Sequence, residues 1–161
     1  MIVFDIDGVV ADARHRLHLI HQNARDYDLF YKRVVDDLVL EPGRKLYKEW
    51  EPTHEILWLS GRPERTRQDT GRWLQANGMG SSLVVPFKNH LILRADDDFR
   101  PPAALKLERI RWAEEAGCKI ELVVDDNPRV CDTLDRAGYA VLQPWWGRGR
   151  EMRPEYEDSG I

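Results

Sequence analysis

Short apolar runs alternate with amphipathic stretches along this chain. Ile2 to Phe4, Glu55 to Leu59, Leu83 to Val85, His90 to Leu93, Glu121 to Val124 and Tyr139 to Leu142 have the length and pattern of strands. Residues 13–22 and 26–37 have helical periodicity, the second with Tyr27, Phe30, Tyr31 and Val34 on one face. Pro42 opens a short helix carrying Leu46 and Trp50. Glu64 to Asn77 read as a helix stopped by Gly78. Pro101 to Ala116 read as another, ended by Gly117, with Ala103, Leu107 and Ile110 facing inward. Asn127-Pro128 supplies a cap and first turn for a helix to Ala137, stopped by Gly138. Alternation of this kind predicts an α/β fold, a doubly wound parallel sheet of Rossmann-like type.

The 161 residues suit one domain, expected over 1–146, with a small helical insertion at 13–53 and a tail at 147–161. From Trp145 onward the chain is charged and contains Pro and Gly, and is expected to lie loosely on the surface. A net charge of −4 gives no global attraction to polyanions, so any such site must be a local patch. Cys118 and Cys131 sit in helix-like segments without metal-ligand spacing, and read as buried apolar groups suited to a reducing compartment. The apolar N-terminal run is too short and acidic for a signal peptide, and no stretch approaches membrane-spanning length. A cytoplasmic location is the expectation, with no membrane partner.

The octapeptide Ile2-Val3-Phe4-Asp5-Ile6-Asp7-Gly8-Val9 carries the strongest chemical signal. Spacing by two puts Asp5 and Asp7 on one side of an extended backbone at the end of a buried strand. Paired carboxylates there need a compensating cation or proton. A hard cation such as Mg²⁺ would compensate them and leave one carboxylate as a nucleophile. A calcium loop starting at Asp5 is excluded, because its ligand positions would fall on Val9 and Arg16 and its glycine on Val10. A plain strand followed by a solvated acidic turn stays open on the octapeptide alone. Two further groups follow predicted strands, where open α/β sheets build their sites: Ser60-Gly61-Arg62 and Asp125-Asp126. Lys106 lies in the first turns of a helix after another strand–loop segment.

This ordered set resembles the haloacid dehalogenase (HAD) superfamily of phosphatases and phosphotransferases. Its first motif is matched by Asp5-Ile6-Asp7-Gly8-Val9, with Val9 replacing a commoner Thr, and its second by Ser60. Its third is matched by Lys106 and its fourth by Asp125 and Asp126. The resemblance implies a HAD-like fold, here with a minimal helical cap, and a set of roles. Asp5 would be the nucleophile, forming an aspartyl-phosphate, and Asp7 the general acid and base. Mg²⁺ would be held by Asp5, Asp125 and the backbone carbonyl of Asp7, with Asp126 either a direct ligand or one layer out. Ser60 and Lys106 would bind the phosphoryl oxygens. A strand-end cap at Ser60, a solvated Lys106 and a helix-capping Asp126 are the bland alternatives. The first two do not explain the joint placement.

Within the superfamily the sequence is closer to the phosphatase half of bacteriophage polynucleotide kinases, which removes 3′-phosphates from nucleic-acid ends. The likeness runs through Phe4 to Gly8, Ser60-Gly61-Arg62, a helix containing Trp73, a basic loop around Arg94 and Arg100, Lys106 and Asp125-Asp126. It implies substrate contacts from Gly61, Arg62, Arg94 and Arg100, a guanidinium at Arg62 being able to grip phosphate bidentately. No Gly-x-x-x-x-Gly-Lys-Ser/Thr loop occurs, so kinase chemistry is expected of a separate kinase or ligase component, if at all. Arg65, Arg67 and Arg72 read as a solvated helix face, and Trp73 and Trp112 as core. Trp145 and Trp146, near the tail, are better placed than these for base stacking. His15, His18 and His21 turn too far around a helix to ligate one metal together. Two rivals remain: a nucleoside or sugar monophosphatase, and a non-catalytic phosphate-binding module, which would have no need of Asp7.

Overall fold

The computed structural model describes residues 1–20, 25–80 and 91–147. The expected strand at Leu83 to Val85, His21 and all but the first residue of the tail lie outside the described residues. Five strands form one parallel sheet: β1 (Ile2–Phe4), β4 (Ile56–Pro63), β5 (Leu91–Arg94), β6 (Leu122–Val124) and β7 (Val141–Leu142), in the order β5-β4-β1-β6-β7. The chain leaves β1 toward β4 and β5, then returns to the other side of β1 for β6 and β7. That reversal opens a crevice at the carboxyl ends of β1 and β6, where such sheets hold ligands.

Alternation along the strands divides the core into two layers. Ile2, Phe4, Ile56 and Trp58 face Tyr47 of α2 (Glu41–Trp50) and Trp73 and Leu74 of α3 (Arg67–Ala76). Val3, Leu57, Leu59 and Val123 face Ile110 of α4 (Pro102–Glu115) and Val130 and Leu134 of α5 (Pro128–Arg136). Burial on both faces explains why these strands read as continuous apolar runs. Asn127 caps α5, its side chain accepting from the amides of Arg129 and Val130, as the Asn-Pro signal predicts.

Several expectations need correction. Residues 13–22 form a 3₁₀ helix over Ala13–Leu19, and 26–37 divide into α1 (Tyr27–Lys32) and a 3₁₀ turn at Arg33–Asp36. A two-residue ribbon, β2 (Ala11–Asp12) against β3 (Leu38–Val39), ties this region to the sheet end, and is too short to leave a periodic signal. β4 runs on from Leu59 to Pro63, because Pro63 still pairs with Arg94 of β5 across a register shift. Trp112 is 57% exposed on α4, whereas Trp73 is buried as expected. Cys118 lies beyond the end of α4 and is only partly buried. The start of the tail is anchored: the Trp146 indole N–H donates to the Val9 carbonyl at 2.9 Å. A Cβ on Gly147 would lie 1.9 Å from the Gly8 oxygen, so only glycine allows that approach. No helix among the described residues is long and apolar enough to cross a membrane.

Candidate active site

After β1 the chain folds into a tight loop in which the amides of Val10 and Ala11 both donate to the Ile6 carbonyl at 2.9 Å. Gly8 adopts φ 78°, and a Cβ there would come within 2.2 Å of an Asp126 carboxylate oxygen. Glycine is therefore what lets the β1 loop pack against the end of β6. Asp5, Asp7, Ser60, Arg62, Lys106, Asp125 and Asp126 are all buried around this crevice. Of the residues predicted from sequence, Gly61 joins them on β4, while Arg94 and Arg100 sit to one side.

The crevice has two halves of different electrostatic character. In the first, single carboxylate oxygens of Asp5, Asp125 and Asp126 all lie within 4.8 Å of one another. Lys106 spans two of these residues, its Nζ 3.0 Å from Asp5 Oδ2 and 2.5 Å from Asp125 Oδ2. Three carboxylates against one ammonium leave two negative charges, as many as one divalent cation neutralises. Burial drives the Asp5 pKa well above its ordinary value; Lys106 opposes this, and Asp125, Asp126 and Asp7 add to it. Asp5 Oδ1 is buried and has no hydrogen-bond partner among the described residues. An orphaned hard oxygen beside two further carboxylates fits a Mg²⁺ ligand set.

In the second half the charges balance. Arg62 Nε donates to Asp7 Oδ2 at 2.9 Å, and its Nη2 donates to Asp7 Oδ1 at 2.7 Å and Asp37 Oδ2 at 2.6 Å. Arg16 Nη2 reaches Asp7 Oδ1 at 2.6 Å while Nε and Nη2 grip Asp37 at 2.7 and 2.9 Å. Burial alone would raise the Asp7 pKa, but the Arg62 and Arg16 guanidinium groups bring it down to about 2. Asp7 is thus ionised here, and its carboxylate is engaged by both guanidinium groups.

Arg16 and Asp37 are site residues that sequence reasoning missed. Arg16 lies on the 3₁₀ helix with its guanidinium carbon 4.2 Å from the Phe30 ring centroid. The backbone carbonyl of Asp37 accepts the Trp73 indole N–H at 2.8 Å, and its carboxylate also meets His15 Nε2 at 2.8 Å. The available signal was weak: one of two arginines in a mostly polar amphipathic stretch, and an acidic pair ending the next. Arg16 Nη1 is buried without a hydrogen-bond partner among the described residues.

Ser60, where the register of β4 shifts after Leu59, accepts the Arg62 amide at 3.3 Å and so helps set the backbone that delivers Arg62. Arg94 is committed to main-chain carbonyls. It reaches Gly61 at 3.3 Å, Asp98 at 3.1 Å and Arg100 at 2.8 Å. Arg100 holds the Asp98 carboxylate at 2.7 Å and Glu108 at 2.5 Å. The two arginines of the basic loop therefore build its shape. Arg65 pairs with Asp28 at 3.3 Å and sits half-exposed, as its helix-face reading implies.

Residues 1–147 match the family model of the polynucleotide kinase PNKP phosphatase domain. The chain belongs to this family. It is a phosphatase of the HAD superfamily, and the family resemblance is borne out over nearly its whole length. A chain in the structure of the Pnkp1/Rnl/Hen1 RNA repair complex superposes with a TM-score of 0.69 at 21% identity, covering 89% of this chain and 41% of that one. A second Pnkp1/Rnl/Hen1 complex gives 0.68 at 23% identity, with 89% and 45% covered. The class C acid phosphatase from Bacillus anthracis with tungstate bound gives 0.60 at 17%, with 98% and 75% covered. These likenesses show the fold, and the chain spans less than half the length of the two repair-complex chains. No curated protein sequence matches it.

Proposed function

We propose that this phosphatase removes 3′-phosphates from nucleic-acid ends, with Asp5 as the nucleophile and Mg²⁺ as the cofactor. The carrying observation is the orphaned, buried Asp5 oxygen set between Lys106 and the acidic pair of β6. Asp5, Asp125, Asp126 and the Asp7 carbonyl would hold Mg²⁺, which when bound neutralises the excess negative charge and lets a phosphate monoester approach. Asp5 then attacks phosphorus, the ester bond to the leaving oxygen breaks, and an aspartyl-phosphate forms. Lys106 and Ser60 face the phosphoryl oxygens, with the unused Arg16 Nη1 as a further donor.

Asp7 would protonate the leaving 3′-oxygen and later take a proton from water. Its two guanidinium partners hold it ionised in the substrate-free protein. Transfer of Arg62 from Asp7 to an incoming phosphoryl group would therefore do two things together. It would grip the substrate bidentately and return Asp7 to a pKa at which it can carry a proton.

The insertion over 13–53 supplies Arg16 and Asp37 and acts as the minimal cap, leaving room for a large substrate. A Pnkp1 chain occurs in an RNA repair complex with Rnl and Hen1. A separate ligase or kinase partner for this chain, acting inside the cell, is consistent with that. A panel of 3′-phosphorylated oligonucleotides and nucleoside and sugar monophosphates, each with Mg²⁺ and with chelator, tests the assignment. The expected result is metal-dependent hydrolysis favouring the oligonucleotides. Equal or better turnover of the small esters would make the protein a small-molecule phosphatase, and no turnover of any would leave a phosphate-binding module.

A further inference from the structure

A groove of about 560 Å³ leads away from the catalytic crevice. Its inner end is formed by Pro63 and Asn127, which adjoin Arg62 and Asp126 in sequence, and by Ala103, one turn before Lys106 on α4. Its outer walls carry Phe99 on one side and Tyr27 and Tyr31 of α1 on another. Four guanidinium groups line it, from Arg65, Arg94, Arg100 and Arg129, against the carboxylates of Asp96 and Asp98. Exposed aromatic walls flanked by guanidinium groups that are themselves paired match the flat face of a nucleobase better than an apolar peptide or a sugar.

Phe99 is the unusual element. It is 89% exposed, so its ring gains almost nothing from the fold. Yet its backbone is held on both sides. Arg94 Nη1 donates to the carbonyls of Asp98 at 3.1 Å and Arg100 at 2.8 Å, and the Arg100 side chain is tied to Asp98 and Glu108. The Arg94 Nε bond to the Gly61 carbonyl, at 3.3 Å, fixes this loop to the end of β4 next to Arg62. A phenyl ring kept in water on a braced loop beside a reaction centre is preorganised for a flat partner. Stacking on it costs little loop ordering. Across the groove Tyr27 is 41% exposed, and the Arg65 guanidinium carbon lies 5.4 Å from the Tyr31 ring centroid.

We infer that this groove is the subsite for the nucleobase of the terminal nucleotide, the one bearing the 3′-phosphate, stacked against Phe99 with Tyr27 opposite. This rests on the assignment of nucleic-acid ends as substrate and adds what the enzyme reads beside the phosphate. Stacking tolerates any base, so the subsite gives a preference for nucleotides over simple esters without sequence selection. Arg94 and Arg100, although committed to the loop, then serve recognition by holding Phe99 in place.

The test compares a 3′-phosphorylated trinucleotide with the same strand made abasic at its terminal residue, in Mg²⁺, for the parent, Phe99→Ala and Phe99→Tyr. Phe99→Ala should fold normally, since its ring is in water. In the parent, loss of the base should raise KM about tenfold with little change in kcat, as expected for one stacked base. In Phe99→Ala the KM of the intact strand should rise to that of the abasic one, and Phe99→Tyr should restore the difference. Hydrolysis of both strands with equal KM in the parent, or a Phe99→Ala effect of the same size on both, would overturn the subsite and leave the nucleic-acid assignment standing. Failure to hydrolyse either strand while an alkyl phosphate is turned over would remove both.

Discussion

Two halves of one crevice, built a few residues apart, follow opposite electrostatic designs. Around Asp7, two carboxylates and two guanidinium groups engage each other through six hydrogen bonds of 2.6 to 2.9 Å to Asp7 and Asp37. Around Asp5, three carboxylates share one ammonium, and an oxygen is left over. The balanced half gives rigidity, since each buried charge is held by the others. The unbalanced half stores repulsion that only a ligand relieves. A buried site of residual charge −2 is a site waiting for a cation, and a balanced one is a wall for it.

Asparagine substitution separates the halves most sharply. Asp7→Asn leaves two buried guanidinium groups with one carboxylate, and should lower stability by about 3 kcal/mol. Asp5→Asn removes one of three crowded carboxylates, so metal-free stability should hold or rise. Both should lose turnover, Asp5→Asn by about four orders of magnitude or more. Denaturant melts in chelator and steady-state rates check the pair. Equal destabilisation by the two changes would break the comparison.

Acid titration sharpens it further. The Asp7 pKa is depressed to about 2, so its contribution is present above the ordinary carboxylate range and lost as pH falls toward 2. The Asp5 pKa is raised, so its neutral form favours folding at low pH and its charge erodes stability as pH climbs. The metal-free advantage of Asp5→Asn over the parent should therefore grow as pH rises above the ordinary carboxylate range. The deficit of Asp7→Asn should instead grow from about pH 2 and level off above about pH 4. Parallel stability–pH curves for the two variants would contradict the assignment of opposite shifts.

Smaller effects are expected at the joints between the halves. Gly8→Ala forces a Cβ toward Asp126 at a positive φ, and should cost about 1–2 kcal/mol while weakening any response to Mg²⁺. Trp146→Phe loses one bond to the Val9 carbonyl and should cost about 1 kcal/mol, since the β1 loop keeps its internal hydrogen bonds. Thermal melts with and without Mg²⁺ read both.

How legible these halves were in the sequence differs for a physical reason. Asp5, Lys106, Asp125 and Asp126 each sit at a strand end or in a helix's first turns, positions that hydrophobic runs and caps mark locally. Ser60 and Arg62 follow the apolar run of β4 in the same way, although continued pairing with β5 carries that strand beyond where its apolar pattern stops. Arg16 and Asp37 reach the site from a 3₁₀ helix and the turn before a two-residue strand. The helical periodicity of both stretches marks their apolar faces and says nothing of a polar pair between them, whose contact spans 21 residues of sequence. Exposed Trp112 failed in the other direction, because residue type alone places tryptophan in the core more often than a helix's outer face allows. Arg94 and Arg100 were identified by charge, and the structure gives that charge carbonyls and carboxylates within their own loop to hold.

The claim that the unbalanced half is the cation site is tested most directly by the melting temperature as a function of Mg²⁺ concentration, at neutral pH without substrate. The parent should be stabilised progressively, by about 2–3 kcal/mol at a hundred times the dissociation constant. Asp5→Asn and Asp126→Asn, each lacking part of the charge that attracts the ion, should respond much less. The same dependence on Mg²⁺ in all three proteins, or none in the parent, would contradict it.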